Sequence, residues 1–434
     1  MRYESLQAKL PLAPAGEMVL GLASMKQLMA HFNHPENQLP TIHIAGTNGK
    51  GSTAKMLATI LQEAGYKVGL FSSPSLVDFN ERIQINGQPI SDDQLMAQVD
   101  RMTKALGPDE YYTEFEVFTG LAWLTFEANQ VDFVVLEVGL GGRLDATNII
   151  ERPLLTAITK IALDHQKILG DTLGEIAGEK AGILKDGIPL VLYPQVDEVK
   201  RAILQKADQL KVPVHEVNPN DIGQIVVNQQ GHQSFDYKGQ RYILNLQAPY
   251  QVNNAALVLE IIDVLKGLGV VISGQAIKQG LATVTWPARF EKIASEPDII
   301  IDGSHNMDGI LSLKEAILTH YPASKVGKRI AIMGMLADKD VAHVVKEITP
   351  IFQEIITVTP HSNRALPADQ LADMIAESGT KVQVAESDPV ALQMALEQLD
   401  KEDILCIFGS FYFVGYLRDI IKKSAISIIK SVQY

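Results

Sequence analysis

The stretch that most narrows the fold is an abrupt change of pattern near residue 41. Thr41 to Ala45 is a short run of the kind that forms a buried strand. It passes directly into Gly46-Thr47-Asn48-Gly49-Lys50-Gly51-Ser52 and then into a helical pattern from Ser52 to Ala64. A strand, a glycine-rich turn and a helix in succession gather backbone N–H groups and a helix N-terminus where phosphate is held, and Lys50 adds a mobile positive charge. The usual phosphate-loop spacing is incomplete, because Ile44 stands where a glycine is expected and Gly51 where a hydroxyl should follow the lysine. With a strand before it and a helix after it, the segment still reads as a nucleotide site.

The same rhythm continues downstream. Lys67 to Ser72, Phe133 to Val138 and Leu154 to Thr159 read as further strands, so βαβ units and a mostly parallel sheet are expected. In FVVLEVGL almost every position is apolar, as in a strand covered on both faces, and Glu137 is the exception. From about Val212 to Gln247 the pattern becomes short and alternating, which predicts a small antiparallel appendage. A helix is expected over Asn253 to Lys266, and Trp286-Pro287 suits an extended connection. A second strand–helix series then begins, with strands at Asp298–Ile301, Arg329–Met333, Glu354–Val358, Lys381–Val384 and Ile404–Phe408. A chain of 434 residues exceeds one ordinary core, so two domains are expected, 1–285 and 286–434.

Composition excludes several classes. With 46% hydrophobic and 21% charged residues the chain is a folded protein. A net charge of −13 argues against nucleic-acid binding, so an anionic substrate must be met by a local device. Cys406, the single cysteine, cannot form an intrachain disulfide and reads as a buried strand residue in ILCIF. Glu4 and Lys9 stand where the apolar core of an export signal would begin, and Ile404 to Leu417 is shorter than the ~18 residues of a membrane span. A cytoplasmic location is the expectation.

Several polar residues fall at the carboxyl ends of predicted strands, where open α/β sheets place ligands. Glu137 would be costly to bury unpaired, so either a metal or a neighbouring cation is implied, and triphosphate chemistry supplies a reason for Mg²⁺. His165 in ALDHQK is a second candidate. The glycines of Gly139-Leu140-Gly141-Gly142-Arg143-Leu144-Asp145 permit close backbone approach, and Arg143 could pair a carboxylate. Lys180, with Glu175 and Glu179 nearby, reads on spacing alone as an exposed helical lysine. In the second half Asp302-Gly303-Ser304-His305-Asn306 follows a strand and is either a site or the cap of the next helix, and Arg289 sits where it could reach a phosphate.

Together, HIAGTNGKGS, LFSSPSLVDFNERI, TEFEVFT, VLEVGLGGRLDATN, ALDHQKILG, EKAGILK, YQVNNAAL, WPARFEKI, DGSHNMDG and GMLADKD, in this order from about residue 40 to 340, resemble the folylpolyglutamate synthase family. That family includes bifunctional dihydrofolate synthases and is related to the Mur peptidoglycan ligases. The resemblance implies an α/β fold with a P-loop-type, mostly parallel N-terminal sheet domain like the Mur ligase central domain, the antiparallel appendage, and a C-terminal Rossmann-like glutamate-ligase domain. It implies an ATP-dependent amide ligase: a folate carboxylate is phosphorylated, and the amino group of L-glutamate attacks the acyl phosphate in a cleft between the domains.

By position, Asn48, Gly49, Lys50, Gly51 and Ser52 would bind the phosphates, and Asn254, Arg289 and Asp302 the nucleotide. Ser73, Glu137 and His165 would hold Mg²⁺, and Lys180, as a carbamate, a second Mg²⁺, with a monovalent cation as a further cofactor. This overrides the exposed-lysine reading of Lys180. His305 and Ser410 fall on the glutamate side, while Thr113, Glu114, Phe115, Glu116, Leu144, Asp145 and Ala146 fall on the pterin side. The implied catalytic set is Lys50, Lys180, Asp302 and His305. Reduced folate, L-glutamate and ATP are the expected partners of a monomer that binds neither nucleic acid nor membrane.

Three departures stand out. Ser75 occupies a position where many members carry His, which bears on the pterin pocket and on addition of glutamate to dihydropteroate, and Ser304 and Met307 replace the Ala and Pro of the usual DGAHNP. The rivals are a bifunctional enzyme that also uses dihydropteroate, a Mur-type ligase acting on a nucleotide-sugar peptide, and a nucleotide switch. The last would explain Gly46 to Ser52 but neither His165 nor a second α/β domain.

Overall fold

β1 (Thr41–Ala45) is buried at every position and forms the centre of an eight-stranded sheet. Around it lie β2 (Val68–Phe71), β3 (Ile83–Ile85), β4 (Gln88–Pro89), β5 (Phe133–Glu137), β6 (Leu155–Ile158), β7 (Leu190–Leu192) and β8 (Val214–Glu216), in the order β4-β3-β2-β5-β1-β6-β7-β8. Pairing is parallel from β2 to β8 and antiparallel at the β2–β3–β4 edge. The computed structural model describes residues 6, 9–12, 21–107, 109–228 and 232–431, with side chains to Lys423; Glu4, on which the leader reading rests, lies outside them.

Two compact units are present: Met1–Val227, Ser234–Asn245 and Gln251–Val284 in the first, and Asn228–Gln233, Leu246–Tyr250 and Thr285–Tyr434 in the second. In the first unit Val134 and Leu136 of β5, two residues apart and so on one face, pack with Phe118, Leu121 and Trp123 of α1 (Glu114–Ala128). Ala45, Val138, Ile158 and Leu190 pack instead with Ile176 of α2 (Leu173–Lys180) and with Ile203. Covering on both faces explains the unbroken apolar strands. A helix at Gln251–Gly267 lies where one is expected.

One expectation needs correction. Val212 to Glu216 does not belong to the antiparallel appendage: β8 is the parallel edge strand of the large sheet, paired with β7. Its alternation reflects an edge strand covered on one side only. The appendage is the three-stranded sheet of β9 (Val226–Val227), β10 (Gln233–Tyr237) and β11 (Gln240–Leu244), in the order β11-β10-β9.

The second unit is built on β12 (Glu291–Ala294), β13 (Asp298–Ile301), β14 (Arg329–Met333), β15 (Glu354–Thr357), β16 (Lys381–Val384) and β17 (Ile404–Phe408), ordered β12-β13-β17-β14-β15-β16. Only β12 runs antiparallel, against β13. Cys406, in β17, is buried with Ile300, Ala331 and Phe408 in this unit's core. Among the described residues no helix is long and apolar enough to cross a membrane.

Candidate active site

In the first sheet the chain leaves β1 on one side for β2 and returns through β5 to β6 on the other, so the crevice beyond the carboxyl ends of these strands is a topological switch point. The glycine-rich loop lies at this end. Gly46 and Gly49 have φ of +147° and +89°, conformations that an L side chain resists. Gly49 precedes a helix, Lys50–Glu63, and makes no side-chain cap among the described residues, and a helix N-terminus in such a loop is where an anion is held. The Thr47 and Asn48 N–H groups donate to Lys160 O, and Thr47 Oγ1 donates to Ala162 O at 3.0 Å, so the loop is stitched to the segment that leads to His165.

Two lysines converge on this loop. Lys50 Nζ donates to Gly46 O and Thr47 O, both at 3.1 Å, and Lys180 Nζ donates to the same Gly46 O at 2.9 Å. Lys180 is 4% exposed, and burial, reinforced by Lys50, pushes its ammonium down to about 7. The reading from spacing alone, an exposed lysine, is therefore wrong. Lys180 ends α2, and the Gly139–Asp145 loop is docked on it: Arg143 N–H donates to Glu179 O at 2.8 Å, and the Arg143 guanidinium meets the Glu179 carboxylate at 2.8 and 3.1 Å.

Glu137 closes β5, 4% exposed and in register with Ile44, and the Ser73 N–H donates to its Oε2 at 3.2 Å. His165 begins a short helix with φ +52°, its Nε2 3.9 Å from Asp164 Oδ1. Among the described residues no three His, Cys, Asp or Glu side chains gather into a protein-only metal cage. Mg²⁺ is usually bound through one or two carboxylates and completes its shell with phosphate oxygens and water. A carboxylate that closes a buried strand at the end of the sheet where the glycine-rich loop lies fits such a site. Asn254 also reaches the loop, since its Oδ1 would lie 2.6 Å from a Cβ at Gly49; Asn254 donates to Gln251 Oε1 at 3.0 Å, and Gln251 donates to Ser52 Oγ at 3.1 Å.

The segments expected on the pterin side take two different forms. Thr113 and Glu116 form a capping box at the start of α1, with Thr113 N–H donating to Glu116 Oε2 at 2.9 Å, so they shape the helix end, while Glu114 is its first residue. Phe115 packs 6.0 Å from Phe71. Leu144 is half-buried, Asp145 and Ala146 are buried, and Asp145 caps the turn at Ala146–Ile149. The Arg82 guanidinium lies over the Phe118 ring at 5.3 Å and donates to Ser75 Oγ at 3.3 Å.

The second unit brings Arg289, Asp302, His305 and Ser410 together at the adjoining ends of β13 and β17. Asp302, 1% exposed and pushed up by burial, accepts from Phe290 N–H at 2.7 Å, Ser304 N–H at 2.8 Å and Tyr250 OH at 3.3 Å. The helix Met307–His320 is capped by Asn306, not Asp302, through Gly309 N–H at 2.8 Å. Ala288 and Phe290, both at positive φ, flank Arg289, whose guanidinium lies 4.7 Å from the Phe411 ring. His305 Nδ1 donates to Gly303 O at 2.8 Å, and its ring meets Phe411 edge-on. Ser410, 2% exposed, accepts from Tyr412 N–H at 3.3 Å.

Sequence reasoning missed His43, Thr147 and Gln251. His43, in the strand TIHIA, is a polar residue in a largely apolar context, the same signal that singled out Glu137.

Residues 44–262 match the Mur ligase middle domain and residues 288–411 the Mur ligase glutamate ligase domain. The chain is 37% identical over 417 residues to the dihydrofolate synthase/folylpolyglutamate synthase of Bacillus subtilis, covering 93% of this chain and 95% of that one. It is 36% identical to the folylpolyglutamate synthase of Lacticaseibacillus casei, covering 90% and 92%. Escherichia coli FolC in complex with DHPP and ADP superposes with a TM-score of 0.86 at 30% identity, over 98% of this chain and 99% of that one.

Proposed function

The chain belongs to the folylpolyglutamate synthase/dihydrofolate synthase family of Mur ligases, and on that footing we propose that it joins L-glutamate to the carboxylate of a (tetrahydro)folyl-glutamate at the expense of ATP. The observation that carries this reading is the convergence of Lys50 and Lys180 on Gly46 O, in the loop that leaves β1, with the buried Glu137 closing the neighbouring strand β5. The Lys50 ammonium and the N-terminus of the helix it begins form a receptor for a polyphosphate in a protein of net charge −13, with Lys180 held on the same loop carbonyl.

In the reaction a carboxylate oxygen of the acceptor attacks the γ-phosphorus and ADP departs, leaving an acyl phosphate. The neutral amine of L-glutamate then adds to the acyl carbon, loses a proton, and the tetrahedral adduct expels phosphate to give the amide. Asn48 to Ser52 hold the phosphates through backbone N–H groups, and Lys50 follows the charge that develops on the transferred group. Ser73, Glu137 and His165 would hold Mg²⁺, and Lys180, once it has taken up CO₂ as a carbamate, would hold a second. These ions would neutralise phosphate charge and orient the triphosphate. Arg289 and Asp302 serve the nucleotide, and His305 and Ser410 the incoming glutamate. Thr113 to Glu116 and Leu144 to Ala146 line the acceptor side. A monovalent cation, a monomeric state and a cytoplasmic location belong to the same reading.

A second substrate is favoured by the relatives that carry both names, the one from Bacillus subtilis among them. If dihydropteroate is accepted as well, Ser75 does not exclude it. The test is phosphate release from MgATP and L-glutamate with dihydropteroate, mono-glutamyl tetrahydrofolate or no acceptor, with products weighed by mass spectrometry. Glutamate addition to the tetrahydrofolate alone establishes a monofunctional enzyme, and addition to both a bifunctional one. Release that ignores both acceptors overturns the proposal.

A further inference from the structure

His43 sits in the middle of β1, fully buried, two residues before the end of the strand that carries the phosphate loop. Its Nε2 lies 2.9 Å from Thr147 Oγ1, and Thr147 Oγ1 lies 2.5 Å from Asp145 Oδ1. The same carboxylate accepts from Thr147 N–H at 3.0 Å and, through Oδ2, from Leu140 N–H at 2.8 Å. Burial pushes the Asp145 carboxyl up, while the Thr147 hydroxyl and the Thr147 and Leu140 N–H groups, donating to both of its oxygens, oppose that shift and favour a carboxylate that takes the hydroxyl proton of Thr147. The lone pair of Thr147 Oγ1 then faces Nε2, so Nε2 carries the proton and Nδ1 is bare. Nδ1 is buried and has no hydrogen-bond partner among the described residues. Burial, with a smaller contribution from Lys185, holds the imidazole neutral, pushed down to about 3.

An unpartnered nitrogen in a core strand costs stability that an apolar residue would spare. What the imidazole supplies in return is direction. A threonine hydroxyl is a rotor, and a donor at its lone pair fixes its proton on Asp145. Asp145 in turn spans its own loop through Leu140, between Glu137 and Arg143.

We propose that His43 is a positioning residue: through Thr147 it fixes Asp145 and the Gly139–Asp145 loop, tying the acceptor side of the site to the strand that bears the nucleotide loop. This rests on the folate-ligase reading, in which that loop meets the acceptor. The coupling is one of geometry and moves no proton during turnover.

The test uses four variants of the full chain, assayed with MgATP, L-glutamate and a mono-glutamyl tetrahydrofolate. His43→Phe keeps an aromatic ring and removes the donor, and Thr147→Val removes the hydroxyl; each is expected to raise the acceptor KM about tenfold, with the ATP KM within about twofold of wild type. His43→Gln and Thr147→Ser, which restore a donor and a hydroxyl, are expected to return the acceptor KM to within about threefold, and the double variant His43→Phe/Thr147→Val to be no worse than the weaker single. Equal shifts in both KM values, no shift in a folded variant, or additive losses would overturn the proposal.

Nitrogen NMR of histidine-labelled wild type gives a readout independent of turnover. A signal with protonated Nε2 and bare Nδ1, unchanged between about pH 5.5 and 8.5, supports the relay, whereas a ring protonated at Nδ1 or titrating in that range refutes it. Absence of acceptor-dependent phosphate release from wild type would instead refute the folate-ligase reading.

Discussion

Replacing Gly46 by alanine strikes the carbonyl on which both lysines converge. A Cβ built at Gly46 lies 1.8 Å from Thr159 Oγ1, 2.9 Å from Thr159 Cβ and 3.2 Å from Thr159 Cα. Rotating the hydroxyl relieves the first contact only; the other two require β1 and β6 to part where they are in register, at Ala45 and Ile158. Overpacking of this kind costs about 1–3 kcal/mol, and an L residue at a φ of +147° adds about 1–2 kcal/mol. The expected loss is therefore about 2–5 kcal/mol, a large share of the ~5–15 kcal/mol that holds a domain together. Urea unfolding would read it as a fall in midpoint with an unchanged slope.

Thr159→Gly removes the Oγ1 and Cβ contacts and leaves only Cα. By itself it gives up the hydrogen bond to Ala45 O at 3.3 Å, worth about 1 kcal/mol. In the Gly46→Ala background it should restore the packing part of the loss and leave the backbone part. A Gly46→Ala protein within ~0.5 kcal/mol of wild type, or a double-mutant cycle with no coupling, would refute the reasoning.

Three further outcomes are expected. Lys50→Ala should abolish ligation with the far-ultraviolet dichroism and melting curve of a folded protein; near-normal turnover would remove Lys50 from the site. With Lys180 pushed down to about 7 by burial and Lys50, its amine sheds its proton around neutrality, where an ordinary lysine stays charged. The neutral form grows as pH rises through about 7, so turnover in CO₂-depleted buffer should be low, should recover with bicarbonate more fully on the alkaline side, and should be lost in Lys180→Ala; indifference to bicarbonate would count against the carbamate. In the second unit burial raises the Glu291 carboxyl, but Arg418 at 2.7 and 2.9 Å, Ala288 N–H and Lys422 outweigh it and hold the group below its ordinary range. A depressed carboxyl stabilises above its unfolded pKa and loses that effect as pH falls through the folded value, so Glu291→Gln should cost about 2 kcal/mol near neutrality and progressively less in acid, a difference that equal losses at both pH values would contradict.

Much of the fold was legible in the sequence because its strands are short apolar runs bounded by charge or glycine. Asp298–Ile301, Arg329–Met333, Lys381–Val384 and Ile404–Phe408 have the limits that pattern predicts. Val214–Glu216 was misplaced because alternation reports one-sided covering and does not say which neighbour a strand pairs with. The site is legible in part for the same reason. Glu137 stands out as a charge in an apolar strand, whereas Lys180 looks exposed by spacing and is buried where its Nζ reaches Gly46 O, at a helix end on which the Gly139–Asp145 loop docks. His43 gives no sign of its role, since its partner Thr147 lies 104 residues away.

The strand order has a consequence for biosynthesis. β1 ends at Ala45, but both of its neighbours, β5 and β6, begin only at Phe133 and Leu155. At a translation rate of about 5–20 residues per second, the future centre of the sheet leaves the ribosome some ~4–20 s before a partner exists for either edge. During that interval its apolar residues and both rows of main-chain groups are open to other chains. The nucleotide loop is made early and shaped late, so the nascent chain depends on a chaperone or on dilution until β5 arrives.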